Sequence, residues 1–168
     1  RFNGYVQARY TSDSSISPHD NLHIRRARLD FRYKLSSLSS VRAQMDVGQQ
    51  NFVMKDAYLD YTFPGKLSRN GLTFTIGQHK WPFGYENQQS SGDREFPERT
   101  LVNRQLLPDE RDIGVKLAGF FGHPTIPSQQ TNWQLGLYNG TGTSRGLSGG
   151  DRTSTKDLVG SIQHPITK

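Results

Sequence analysis

The sequence predicts an all-β protein built as a transmembrane antiparallel β-barrel. Three observations predict it. Apolar and polar residues alternate in eight separate stretches, many of about ten residues, which is the signature of half-buried strands. The polar phase of that alternation is rich in charge, as in a barrel with a wet interior. The connections tend to alternate between long and short, with the tight one at 48–51 as the exception. A soluble antiparallel sandwich or lipocalin-like barrel shares the first observation and remains the alternative on pattern alone. Its strands would usually be nearer five or six residues.

Each strand follows from its own alternation. Strand one (2–10) sets Phe2, Gly4, Val6, Ala8 and Tyr10 against Asn3, Tyr5, Gln7 and Arg9. Strand two (22–34) sets Ala27, Leu29, Phe31 and Tyr33 against Arg26, Arg28, Asp30, Arg32 and Lys34. Strand three places Val41, Ala43, Met45 and Val47 opposite Arg42, Gln44 and Asp46. Strand four places Ala57, Leu59, Tyr61 and Phe63 opposite Asp56, Tyr58, Asp60 and Thr62. Strand five carries Leu72, Phe74 and Ile76. Strand six pairs Ile113, Val115 and Leu117 with Asp112, Gly114 and Lys116, and strand seven pairs Trp133, Leu135 and Leu137 with Gln134, Gly136 and Tyr138. The last strand begins near Lys156, with Leu158, Gly160 and Ile162 on one face. Turn-forming Gly, Pro, Asn and Ser fill the gaps. Residues 80–110 do not alternate and read as one long charged loop.

Composition narrows the function classes. Apolar residues are 32 % of the 168, too few for an ordinary dry core, yet aromatics are 11 % and recur regularly, which argues against disorder. The net charge of +6 points to anions, membranes or nucleic acid as partners. The absence of cysteine removes disulfides, thiolate metal sites and a cysteine nucleophile. No apolar run is long enough for a transmembrane helix. No signal peptide is visible. The chain opens at Arg1 inside a strand, and a processed or truncated start is the expectation.

Six stretches carry a resemblance to a known family: IRRARLDFRYKL (24–35), FVMKDAYLDY (52–61), GQHKWPFGYE (77–86), EFPERTLVN (95–103), RDIGVKLAG (111–119) and NWQLGLYNGTG (132–142). In order and spacing the chain resembles the phosphate-selective porin O/P family of Gram-negative outer membranes. The resemblance implies a barrel of about sixteen strands, a homotrimer and one pore per subunit. The eight strands here are then the N-terminal half of one barrel (1–168), and 80–110 is a constriction loop folded inward. An eight-stranded barrel is filled by its own side chains and would not admit such a loop. Pro82, Phe83, Phe96 and Pro97 are expected to seat the loop against the wall, and Glu98 and Arg99 to pair with wall charges.

For such a porin, rings of Arg and Lys favour anions. The expected pore-lining anion path is Arg26, Arg28, Arg32, Arg42, Lys80, Arg94, Arg99, Arg104 and Lys116, with Arg9, Lys34 and Arg111 as further candidates. Alternate residues of a strand are about 6.6 Å apart, so Arg26 and Arg28 form neighbouring rungs. Between 80 and 112 five bases (80, 94, 99, 104, 111) face seven acids (86, 93, 95, 98, 109, 110, 112), so many loop arginines are expected to hold the loop in place. The wall carries seven bases (9, 26, 28, 32, 34, 42, 116) against five acids (30, 46, 56, 60, 112). This small excess predicts general anion preference rather than strong phosphate selectivity. Passive diffusion of small anions, with no cofactor, no metal, no enzymatic activity and no nucleic-acid partner, is the expected function. A structural or binding barrel within a larger outer-membrane assembly is the alternative, and a soluble carbohydrate-binding sandwich the third reading.

Weaker motifs carry less. Gly140-Thr141-Gly142 lacks the lysine and helix of a phosphate loop. His19 and His23 are not placed together by a loop or strand as they would be by a helix. Asn139-Gly140-Thr141 matters as a glycosylation acceptor only in a eukaryotic secreted protein, and no nucleophile elbow is present. Arg26 and Arg28 near Tyr33 would make a basic aromatic surface for nucleic acid, but that leaves the apolar opposite face unexplained.

Overall fold

The computed structural model describes residues 1–15, 17, 20–47, 52–65, 70–90, 92, 96, 98–106, 110–140 and 154–166. Its strands are β1 (Phe2–Ser12), β2 (Asp20–Lys34), β3 (Ser39–Asp46), β4 (Val53–Thr62), β5 (Thr73–Lys80), β6 (Arg111–Gly122), β7 (Gln130–Tyr138) and β8 (Asp157–Gln163). They form one antiparallel sheet in the order β1-β2-β3-β4-β5-β6-β7-β8, each paired with its neighbour in sequence. The all-β reading and its eight strands are therefore borne out. The sheet is open, with β1 and β8 as its edges. Between β5 and β6 lie two short helices, α1 (Tyr85–Gln88) and α2 (Leu101–Leu106), and a 3-10 turn (Pro127–Gln129) precedes β7. Among the described residues no helix is long and apolar enough to cross a membrane.

Pairing aligns the apolar residues into one continuous face. Leu29 stands opposite Met45, Val41 opposite Leu59, Leu59 opposite Ile76, Ile76 opposite Val115, and Val115 opposite Leu137. That face is exposed: Ile76, Leu135, Leu158 and Ile162 all keep about half or more of their surface. The opposite face is where burial occurs, and it is polar. Arg26, Arg28, Gln44, Asp56, Thr75, His79, Arg111 and Asp112 are buried, while Tyr138 is the one large apolar side chain that is, among the described residues. Soluble domains bury the reverse set. The sheet presents its oil outward and its charge inward.

Among the described residues the pairing register shifts at two places. The β1–β2 register shifts between Gln7 and Ala8, whose partners are Arg26 and Ile24, so Arg25 is an extra residue in β2. The β3–β4 register shifts between Gln44 and Met45, whose partners are Asp56 and Met54, so Lys55 is an extra residue in β4. A bulge of this kind re-aims the side chain it carries. The second one also disturbs the ladder, and Gln78 repairs it: its Nε2 donates to Met54 O and Lys55 O, both at 2.8 Å. Gln78 shares the parity of Phe74 and Ile76, yet it is 1 % exposed because it caps those carbonyls.

β5 also runs further than its apolar pattern suggests. It continues past Ile76 to Lys80, which pairs with Arg111. The tail of β5 lies against an aromatic platform. Tyr138 reaches across Gly136 and Gly114, its hydroxyl 3.1 Å from His79 Nε2, and Trp81 stacks on it with centroids 6.0 Å apart. A β-carbon at Gly136 would meet the Tyr138 ring and hydroxyl, and one at Gly114 would stand 2.8 Å from that ring. These glycines leave the space the tyrosine fills. Gly136→Val is accordingly expected to destabilise the fold by about 1–3 kcal/mol in a denaturant titration. Gly92→Ala, whose β-carbon would find, among the described residues, Ser90 Oγ alone at 3.9 Å, is expected to leave the midpoint unchanged.

Candidate functional site

The polar face gathers its charges into an alternating chain. It begins on β2, where Arg32 Nη2 lies 3.4 Å from Asp30. Asp30 accepts from Arg42 of β3 at 2.7 Å, and the other arm of Arg42 reaches Asp56 of β4 at 3.1 Å. Asp56 in turn accepts from Arg111 Nε at 2.6 Å, both side chains being 2 % exposed. Arg111 Nη1 donates to Glu110 at 2.7 Å, and Glu110 also pairs with Arg99. Arg111 Nη2 donates to Gln44 Oε1 at 3.3 Å. A second cluster, at the middle of β2, joins Arg28 and Arg26 to Asp46 at the end of β3, at 3.1 and 3.6 Å. A buried charge without a partner is costly, so a polar face this crowded holds together only with its signs interleaved.

The loop between β5 and β6 is tied to this face at both roots and further along. Lys80 Nζ donates to Gln89 O at 2.6 Å. The fully buried Asn87 donates to Trp81 O and Glu110 O at 3.2 and 3.3 Å, which clamps the two ends of the loop together. Glu98 accepts from Arg25 at 2.8 and 3.0 Å and from Arg9 at 3.4 Å. Burial pushes both loop carboxylates up, but the cations around them prevail. Arg25, Arg26 and Arg9 hold Glu98 below the ordinary carboxylate range, and Arg111 and Arg99 hold Glu110 down to about 2. Burial lowers Arg99 despite its pairing with Glu110.

Among the described residues, two cavities open between loop and sheet. One of about 390 Å³ is lined by Arg28, Arg32, Arg42, Lys80 and Arg111, by Asp30 and Asp56, and by Gln88 and Ser90 of the loop. The other, about 300 Å³, is lined by Tyr58, Asp60, Thr75, His79 and Lys116. Arg42, Asp56, Lys80 and Gln88 line both, and so form the partition between them.

The expected anion-path residues thus fall into groups. Arg28, Arg32, Arg42 and Lys80 share the larger cavity, and Lys116 lines the smaller. Arg26 is buried against Asp46, and Arg99 is engaged by Glu110. Arg104 is exposed in the last turn of α2 and forms no ion pair with another described residue. Lys34 is exposed at the end of β2. Arg94 and Pro97 lie outside the described residues, as do His19 and residues 141–142. Pro82 is buried as expected of a loop anchor, but Phe83 and Phe96 are 53 % and 72 % exposed and do not seat the loop. Polar ties do that work instead. Sequence reasoning missed Arg25 and Lys55 because it assumed unbroken alternation. The signal was a parity change: Leu22 and Ile24 are even, Ala27 and Leu29 odd, and Phe52 and Met54 give way likewise to Ala57 and Leu59.

An antiparallel sheet with an exposed apolar face, a charged inner face and a long loop tied over the charges defines the wall of a membrane channel. Residues 3–164 match the family of phosphate-selective porins O and P, and the chain belongs to that family. No curated protein and no solved structure matches it.

Two outcomes test the charge chain. Asp56→Leu leaves the buried Arg111 with Glu110 as its one remaining carboxylate partner and is expected to cost up to about 3 kcal/mol, whereas Asp56→Leu with Arg111→Met removes both charges and is expected to cost clearly less. Glu110, with its depressed value, contributes stability above the ordinary carboxylate value that is lost only as pH falls toward about 2. With Trp133→Phe, and the same replacement of any tryptophan in the remainder of the full-length protein, the emission of Trp81 is expected to stay constant from neutral pH to about 4 and to change only below that.

Proposed function

We propose that the chain is the N-terminal half of a barrel of about sixteen strands in a Gram-negative outer membrane, through which small anions diffuse passively. In this reading the apolar face meets lipid and the charged face lines a water-filled lumen. Residues 80–110 fold inward as the constriction, and the subunits form a homotrimer of the kind porin families typically adopt. The loop needs a lumen wider than eight strands enclose, since an interior that narrow is filled by its own side chains.

One observation carries the ion preference. The larger cavity presents five basic side chains, Arg28, Arg32, Arg42, Lys80 and Arg111, against two acidic ones, Asp30 and Asp56. The loop acids that outnumber its bases in sequence include Glu98 and Glu110, and both are engaged in holding the loop. Among the described residues lining this cavity, bases therefore exceed acids by three. Rings of such residues favour anions, and guanidinium N–H groups not engaged by carboxylates suit oxyanions such as phosphate. Because Arg42 and Arg111 are bound to carboxylates, they act as fixed field sources rather than free ligands. That arrangement supports preference for anions as a class over tight selection of phosphate.

The test is the reversal potential of the full-length protein in planar bilayers under a salt gradient. Anion preference is expected, and Arg32→Glu, at a half-exposed site, is expected to move the potential toward cations. A cation-preferring wild-type channel contradicts the proposal. A protein that inserts without conducting supports a structural role instead.

A further inference from the structure

Arg25 and Glu98 meet in a geometry that neither local sequence explains. Continuous alternation along β2 would carry Arg25 to the apolar face with Ala27 and Leu29. The bulge makes it an extra residue between Ile24 and Arg26, and its guanidinium turns to the polar side. There Nε donates to Glu98 Oε1 at 2.8 Å and Nη2 to Oε2 at 3.0 Å, a two-pronged fork that fixes distance and orientation together. Glu98 stands beyond α1, and β2 is three strands from β5, where the loop departs. The contact therefore spans the polar face. Among the described residues two ion pairs join the loop to β1 and β2, from Arg9 and Arg25, and both converge on Glu98. The other ties, at Lys80, Asn87 and Glu110, act at the loop's roots.

We propose that Arg25 and Glu98 form the latch that sets how far the loop stands from the β1–β2 wall, and with it the width and steadiness of the passage. The proposal rests on the reading of this loop as the constriction. Arg25 and Glu98 are positioning residues in it. Each is neutralised by the other, so their task is geometric rather than one of attracting the permeant.

The test uses single-channel recording of the full-length protein, with Arg25→Gln, Glu98→Gln and both together, each first checked for the folded, detergent-resistant form. The two substitutions remove charges of opposite sign. A latch predicts that both raise the conductance and the open-channel current noise. It also predicts that the double variant goes no further than the larger single one, because all three lose one contact. Arg9→Gln, which removes only the longer contact, is expected to give a smaller rise in the same direction and serves if the others do not fold. Shifts of opposite sign that follow the charge removed, additive shifts in the double variant, or no change in any variant overturn the latch and leave the channel reading standing. A folded wild-type protein that conducts nothing removes both.

Discussion

The structure depends on one electrostatic joint, the pairing of Arg111 with Asp56. Both side chains are nearly inaccessible, and the guanidinium at the start of β6 reaches over β5 to the carboxylate on β4. A charge so placed is tolerable only with an opposite charge in contact. The same guanidinium engages Glu110 and Gln44, so one side chain binds the end of the loop, β3 and β4 together. Everything on the polar face is arranged around this requirement. Asp56 is shared with Arg42, Arg42 with Asp30, and Glu110 with Arg99, so no strand from β2 to β4 contributes its charge alone. A set of apolar residues would hold these strands as firmly, but it would close the space that a channel needs.

The two bulges are the means by which a regular sheet supplies more inward cations than its alternation allows. Each inserts one basic residue, Arg25 or Lys55, into a strand whose partner does not shift. The cost is a pair of backbone carbonyls out of register, and at the second bulge Gln78 meets it with a single amide. This explains a glutamine at a position where the sheet otherwise calls for an aliphatic side chain. The aromatic platform of Tyr138, His79 and Trp81 plays the complementary part at the loop's departure. It gives the chain a rigid base as it turns off β5, and the glycines beneath it leave room for its rings.

Much of this was legible in the sequence, and the rest was not for identifiable reasons. Period-two alternation is a local property, so the eight strands and their two faces could be read residue by residue, as at Val115, Lys116 and Leu117. The bulges left a trace, the change of parity between Ile24 and Ala27, that a strict template reads through. The loop's attachments left none. Arg25 and Glu98 are 73 residues apart, and Arg111 and Asp56 are 55 apart. Any of the loop's acids could have satisfied either arginine by type alone. Only the register of the sheet and the path of the loop choose between them. The same holds for Phe83 and Phe96, whose apolar character suggests anchoring while the actual anchors are amides and carboxylates.

In a membrane wall the charged face is expected to meet water and the apolar face lipid. These 168 residues contain no cysteine, so with any cysteine in the remainder of the full-length protein replaced by serine, single cysteines placed along β6 are its sole thiols. The most direct measurement is the rate at which a small, water-soluble, membrane-impermeant thiol reagent labels Val115→Cys, Lys116→Cys and Leu117→Cys in the full-length protein inserted in lipid bilayers. Labelling is expected at position 116 and protection at 115 and 117. Protection at 116 with labelling at its two neighbours, or equal labelling at all three, would contradict that expectation.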